Sequence, residues 1–406
     1  MQSKRWLLPE GVQEMVPPES WRLEAARRAL LDLYWRWGFD LIRPPLIEYL
    51  DSLFTGAGHD LDLQTFKLTD QLNGRMMGVR SDMTTQAARI DAHRMQATGP
   101  ARYCYIGSIL RTRPEEPGGS RSPLQVGAEK FGDAHIQSDL EIVSLLLETL
   151  TLMGIDNAYL DLGHVAIYRR LVACAEISEE HEPLLFDVMQ RKSRPDLDAL
   201  AADGRIDAKA HDWFAQLVGL NGSPEVLEDA DAALAGIDPE IDAALERLDE
   251  MVELLTTHYP DVPIYLDLAE LRGYRYKTGL LYAAFAPGLG RELARGGRYD
   301  NVGAAFGRSR SATGFSADLN VLAALGRFDS DGRRGGIQAP AGNDPALLAA
   351  VRGLRAAGER VIVATPGAAE AGDSGCDRGL EYIDGRWDVR PLRRSSSDSN
   401  SADSRD

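Results

Sequence analysis

Eight polar residues sit inside stretches that otherwise read as half-buried strands: Arg80, Asp82 and Thr84 in VRSDMT, Arg111 and Arg113 in ILRTR, Gln125 and Glu129 in PLQVGAEKFG, and Arg272 in LRGYRYKTG. Gln125 and Glu129 are four apart, and in a strand that even spacing turns both to one face. An ionised group there is costly unless it is paired. Several of opposite sign on one sheet face can neutralise one another as an internal ion network. They can equally surround a zwitterion, with acids toward an ammonium, an arginine toward a carboxylate and a further acid toward a ring N–H. Spacing alone leaves both open.

Other chemistries lack their residues. The chain has no GxxxxGK[ST] phosphate loop, no GxGxxG after a strand, no HExxH and no GxSxG. Cys104, Cys174 and Cys376 are far apart, and the seven histidines form no ligand-like pair, so no metal site and no disulfide framework is expected. Cys104 and Cys174 read as small buried apolar residues. Trp6, Trp35 and Trp37 read as core or dimer-interface residues.

The elements that must hold these residues follow from periodicity. The 406 residues carry a net charge of −17 and are 44% apolar, enough for a large core in two or three domains. No apolar run reaches the ~20 residues of a membrane helix, and MQSKRWLLPEGVQ has no signal-like apolar core, so a cytoplasmic location is expected. After Pro17-Pro18, Leu23, Ala26, Leu30, Leu33 and Trp37 predict a helix ending at Gly38. Short antiparallel strands follow in QTFKLTD, RMMGVRS, RYCYIGSIL and PLQVGAEKFG, then a helix over about 136–153 closed by Gly154. Residues 165–259 read as an inserted helical arm. Within it, Glu176 to Glu253 holds 21 acids against 6 bases, so almost all the excess charge of the chain is local. That arm is either a solvated face or a docking surface for a basic partner. Antiparallel strand patterns return in IYLDLAEL, YRYKTGLLYAAFA and RELARGGRYDNV, and a helix pattern spans about 315–325. The expected organisation is a core over 1–330, a small α/β unit over 335–392 with a helix near 345–357, and a disordered polar tail over 393–406.

The same residues carry a resemblance. GFDLIRPPLIE, YIGSILRTRPEEPGGSRSPLQVGAEKFG, LRGYRYKTG and GGRYDNVGAAFG…ATGFSADLNVL resemble, in order, the motifs of class II aminoacyl-tRNA synthetases, specifically histidyl-tRNA synthetase. The resemblance covers about residues 5–325. It implies an α+β fold, an antiparallel sheet flanked by helices. The departures fall on the ATP side. The synthetase's third motif reads like GFAxGxERL, with an arginine for the ATP phosphates, and here Val321 stands in that place. Losing such a contact costs about 2–5 kcal/mol, or ~30-fold or more. Arg113 replaces the acid of FRxE, Pro123 the phenylalanine that stacks on adenine, and Arg275 and Lys277 replace Asp and the second Tyr of RGLDYYTG. No anticodon-reading domain is recognisable.

The amino-acid side is kept. Asp82, Thr84, Arg111, Gln125, Glu129, Arg272 and Tyr276 match positions that hold histidine in the synthetase. By resemblance, Asp82 and Thr84 take the ammonium, Arg111 or Arg272 the carboxylate and Glu129 an imidazole N–H, while Gln125 and Tyr276 orient the ligand. Arg113, Arg121, Arg275 and Lys277 offer, alternatively, an anion site for phosphoribosyl pyrophosphate or ATP. The combination resembles the regulatory-subunit family of ATP phosphoribosyltransferase, a synthetase paralogue. That implies a non-catalytic chain with no cofactor and no tRNA. It would assemble as a dimer within a hetero-oligomer with the short catalytic subunit, four of each, for the first step of histidine biosynthesis, with L-histidine as feedback effector. The alternative is an aminoacyl ligase, an adenylate-forming synthetase lacking an anticodon-binding domain.

Overall fold

The computed structural model describes residues 6–55, 59–115, 119–274, 276–328, 335–365 and 375–392. The expected tail over 393–406, and Arg275, lie outside them. The chain divides into two units, Met1–Asp329 and Ser330–Asp406.

In the first unit, glycine and proline punctuation yields short strands that assemble into a nine-stranded sheet. Its order is Asp40–Leu41, Ala101–Ser108, Leu124–Phe131, Ala312–Asp318, Glu292–Arg298, Leu280–Phe285, Tyr159–His164, Ile264–Asp267 and Asn221–Gly222. The pairings from Ala101–Ser108 to Tyr159–His164 are all antiparallel. Two are not as the sequence patterns suggest. Asp40–Leu41 runs parallel to Ala101–Ser108, and Ile264–Asp267 parallel to Tyr159–His164. Parallel neighbours need a long crossover, which the helical insertion supplies for the second pair.

Helices Glu19–Arg36 and Ile136–Leu152 cover this sheet, burying Ala26, Leu30 and Leu33 from one and Ile142, Val143, Leu146 and Leu150 from the other. Each fully buried leucine contributes about 1.5–3 kcal/mol. Gly38 and Gly154 take left-handed φ values of 78° and 73°, ending these helices as expected. The insertion comprises the helices Val165–Cys174, Glu182–Gln190, Arg194–Ala202, Ala208–Gly219, Val226–Leu234 and Pro239–His258. The helix expected from residue 315 starts only at Leu319. Ala312–Asp318 is instead a central strand between Leu124–Phe131 and Glu292–Arg298. Asp318 accepts from the Asn320 N–H at 3.0 Å and so marks the helix start.

Ile47–Tyr49, Met76–Val79 and Phe66–Thr69 form a separate three-stranded sheet. Two of the tryptophans expected in a core or interface, Trp6 and Trp35, are exposed in the single chain, while Trp37 is half-buried and donates to Glu148 at 3.0 Å. Cys104 is buried, but Cys174 is only half-buried, with its thiol 3.6 Å from Asp238.

The second unit is a four-stranded sheet in the order Val361–Val363, Gly336–Ala339, Cys376–Ile383 and Arg386–Pro391. The helix Pro345–Ala356 lends Leu347 and Val351 to a core with Ile337, Ala339, Val361 and Leu380.

Candidate functional site

Strand Leu124–Phe131 turns Gln125 and Glu129 to the same face, as their spacing requires. Gln125 is buried and joins two elements: its amide N–H donates to Asp82 at 3.1 Å, and its carbonyl accepts from the Met83 N–H at 3.0 Å. The other Asp82 oxygen accepts from the Thr84 N–H at 2.6 Å, where the helix Thr84–Ile90 begins. The half-buried Asp82 carboxylate is thus fixed on both oxygens.

Asp82, Thr84, Arg111 and Tyr276 line one cleft of about 390 Å³. The sheet forms one of its walls, and Leu271, Gly273, Tyr274 and Tyr276 form a second. The third is unanticipated: Phe186 and Gln190, from the insertion helix Glu182–Gln190, face the same space. That helix is tied to the loop by Tyr274, whose hydroxyl donates to Glu182 at 2.8 Å and whose ring lies 5.5 Å from that of Phe186. Gln64, Glu115, Gln190, Gly273, Tyr276 and Arg295 are shared with an adjoining cleft of about 340 Å³, which Arg272 and Lys277 also line.

Glu129 lies behind this wall. It is 1% exposed, and its carboxylate accepts from the Tyr105 hydroxyl at 2.8 Å and from the Tyr299 hydroxyl. Burial pushes its carboxyl up to about 7 against the pull of the two hydroxyls. Only a glycine fits at 314, because a Cβ there would collide with this carboxylate.

Neither arginine proposed for a carboxylate is free. Arg111 is buried and pairs with Glu115 at 2.7 Å, while Arg272 bonds Glu270 at 2.7 Å and also Glu292. Arg295, which sequence reasoning passed over, joins Glu292 at 2.8 Å and Glu115. The signal was available, since RELARGGRYD embeds Glu292 and Arg295 in a strand pattern, as VRSDMT embeds Asp82. Arg80 belongs to the scaffold, donating to the Pro44 and Ser108 carbonyls at 2.6 and 2.9 Å.

Of the alternative anion set, Arg113 is exposed and Arg121 donates to the Arg111 and Glu10 carbonyls. Among the described members of the set, Lys277 alone lines the cleft. Burial, with Arg295 nearby, pushes its ammonium down to about 7. At the rim, Asp161, Asp267 and Glu270 bring carboxylate oxygens within 4.8 Å of one another. Lys192 neutralises Asp267 at 2.5 Å, and burial with those two acids pushes the Asp161 carboxyl up to about 7.

A third cleft, of about 100 Å³, holds the positions at which the synthetase motifs, by resemblance, place their nucleotide contacts. Val321 and Pro123 line it, beside Arg111, Arg291 and Arg295. No side chain of the helix Leu319–Leu325 offers a cation there.

The histidyl-tRNA synthetase family model matches residues 11–322, and that of the ATP phosphoribosyltransferase subunit HisZ C-terminal domain matches 334–390. The chain is 51% identical to the ATP phosphoribosyltransferase regulatory subunit of Ectopseudomonas mendocina, over 96% of this chain and 98% of that one. It is 52% identical to that of Thioalkalivibrio sulfidiphilus, over 93% and 96%. The chain belongs to the family of ATP phosphoribosyltransferase regulatory subunits. Its fold is also that of a solved ATP phosphoribosyltransferase regulatory subunit/histidyl-tRNA synthetase from Bacillus halodurans, with a TM-score of 0.79 at 23% identity over 92% of this chain and 96% of that one. A histidine–tRNA ligase subunit from Alicyclobacillus acidocaldarius matches with a TM-score of 0.66 at 26% identity, over 78% and 96%. In this family member the class II fold is therefore kept, with Val321 standing where the synthetase motif has its arginine. Among the described residues no helix is long and apolar enough to cross a membrane.

Proposed function

We propose that this chain is the non-catalytic regulatory subunit that a short catalytic subunit of ATP phosphoribosyltransferase requires for the first step of histidine biosynthesis, and that its cleft holds L-histidine as the feedback effector. The observation that carries this is the contrast between the two sides of the site. The Asp82 carboxylate, held by Gln125 and the Thr84 N–H, faces the cleft, whereas the nucleotide side carries Val321 and Pro123 in its lining. An acid fixed on both oxygens is pre-organised for an ammonium.

Asp82 and Thr84 then hold the ammonium of histidine, with Gln125 holding Asp82 in place. Arg111 or Arg272 takes the carboxylate, exchanging Glu115 or Glu270 for it. Tyr276 orients the ligand, and Glu129 takes the ring N–H once a tyrosine donor yields. The assembly is a synthetase-like dimer carried into a hetero-oligomer with the catalytic chains, four of each, in the cytoplasm, without tRNA.

Reconstitution with the short catalytic subunit of the same source tests this, following phosphoribosyl-ATP formation with and without histidine. Activity is expected to need both chains and to fall with histidine. Asp82→Asn removes a charge-assisted contact, so it is expected to raise the half-inhibitory histidine concentration by about tenfold or more. A chain that neither binds the partner nor changes its rate overturns the proposal. Histidine-dependent ATP–pyrophosphate exchange by this chain alone would establish the ligase instead.

A further inference from the structure

Lys277 is 7% exposed and lines the 340 Å³ end of the cleft. Among the described residues its ammonium makes no hydrogen bond and no ion pair; the Tyr276 ring lies 5.7 Å away at the centroid, and Arg295, Glu129, Asp82 and Glu292 act on it only from beyond ion-pair distance. The ammonium lies against the sheet, where a Cβ at Gly297 would meet it at 2.9 Å.

The other cations of this end have their counter-charges. Arg272 holds Glu270 and Glu292, and Arg295 holds Glu292 and Glu115. Those pairings engage Glu270, Glu292 and Glu115, while Asp82 is held by Gln125 and the Thr84 N–H. Glu129 is engaged by Tyr105 and Tyr299 behind the wall. Asp161 lies two strands across and two residues along from Gly297, roughly 12 Å away by sheet spacing.

A buried ammonium with no direct ion pair is costly to hold. One that faces a cavity recovers that cost when an anion enters, because its three donors are already desolvated and aimed. We propose that Lys277 makes this end of the cleft a subsite for a small oxyanion, the carboxylate or phosphoryl group of a ligand. The inference rests on the cleft being a ligand site, and not on histidine being the ligand.

Titration calorimetry of the full chain at low salt tests it, with inorganic phosphate and malonate as separate probes. At least one probe is expected to saturate at one per chain. Lys277→Met is expected to weaken it by about tenfold or more, and Lys277→Arg by much less. A probe that binds as phosphate alone marks a phosphoryl subsite, and malonate alone a carboxylate one. Lys277→Met removes an unpaired buried charge, so its melting temperature is expected to stay at or above that of the wild type, which excludes unfolding as the cause. If neither probe binds, or binding survives Lys277→Met undiminished, the subsite does not exist and Lys277 is an internal charge only. L-Histidine is titrated in parallel. Histidine heat without probe heat removes this subsite and leaves the effector site standing; probe heat without histidine heat does the reverse.

Discussion

Glu129 places a carboxyl against two tyrosine hydroxyls, with the Thr84 side chain and the Asp82 charge also acting on it. Burial raises its pKa from 4.5 to about 7, so between those values the folded chain binds a proton that the unfolded chain has released. Stability therefore falls as pH rises through this window, by up to about 3 kcal/mol from this residue. Glu129→Gln removes the titration. The variant is expected to lose less stability than the wild type between about pH 5 and about pH 7, read by denaturant unfolding at both values. Parallel losses in the two proteins would show that Glu129 is ionised throughout. His164, pushed down to about 4, adds stability as pH rises and cancels in this comparison because both proteins carry it. Lys277, which the Glu129 carboxylate holds up, falls further in the variant and adds to the difference in the same direction. The shared face of Gln125 and Glu129 was legible from a spacing of four, because strand period is local. The partners of Arg111 and Arg272 were not. Which acid reaches which arginine depends on loops that fold back from other strands, as Glu292 does toward Arg272, twenty positions along.

At the scale of elements, Asp139 joins three of them. It sits on the helix Ile136–Leu152, wholly buried, and accepts from Arg298 of the strand Glu292–Arg298 at 2.8 Å and from Arg247 of the insertion helix Pro239–His258 at 2.7 Å. Asp139→Asn leaves Arg298 buried with only Asp300 and two carbonyls near it. Removing one partner of a buried pair costs about 3–5 kcal/mol, and a loss toward the lower figure is expected in urea unfolding. Arg247→Ala, at the half-exposed end, is expected to cost about 1 kcal/mol. Equal losses would mean that the insertion, and not the core strand, depends on this acid. Some elements were missed although the sequence held their signal. The hairpin Cys376–Ile383 to Arg386–Pro391 turns on Asp384-Gly385, both with positive φ, and Asp-Gly between alternating apolar residues is a strong hairpin cue. The strand Ala312–Asp318 was missed for a different reason. A strand buried on both faces shows no alternation, and its apolar run merges with the helix that follows.

At the scale of the molecule, the proposed regulation by histidine requires a difference in affinity between two states of the complex. Histidine that bound both states equally would shift nothing, however tightly it bound. The cleft suggests where a difference can arise, because its wall is built from two bodies: the sheet with its loop, and the insertion helix carrying Phe186 and Gln190. A change in the packing of Tyr274 against Glu182 and Phe186 would alter the cleft and the arm together. Typical couplings are about 1–3 kcal/mol, or 5–150-fold, and linkage makes them reciprocal. If histidine suppresses the assembled enzyme by such a factor, catalytic subunits held in their substrate-bound state must weaken histidine binding to this chain by the same factor. Titration calorimetry of histidine into the complex, with and without the substrates ATP or phosphoribosyl pyrophosphate, reads it directly. The expected result is an affinity at least about fivefold lower with substrates present. An unchanged affinity alongside strong inhibition would place the inhibitory site on the catalytic chain, since a site that does not sense the active state cannot control it.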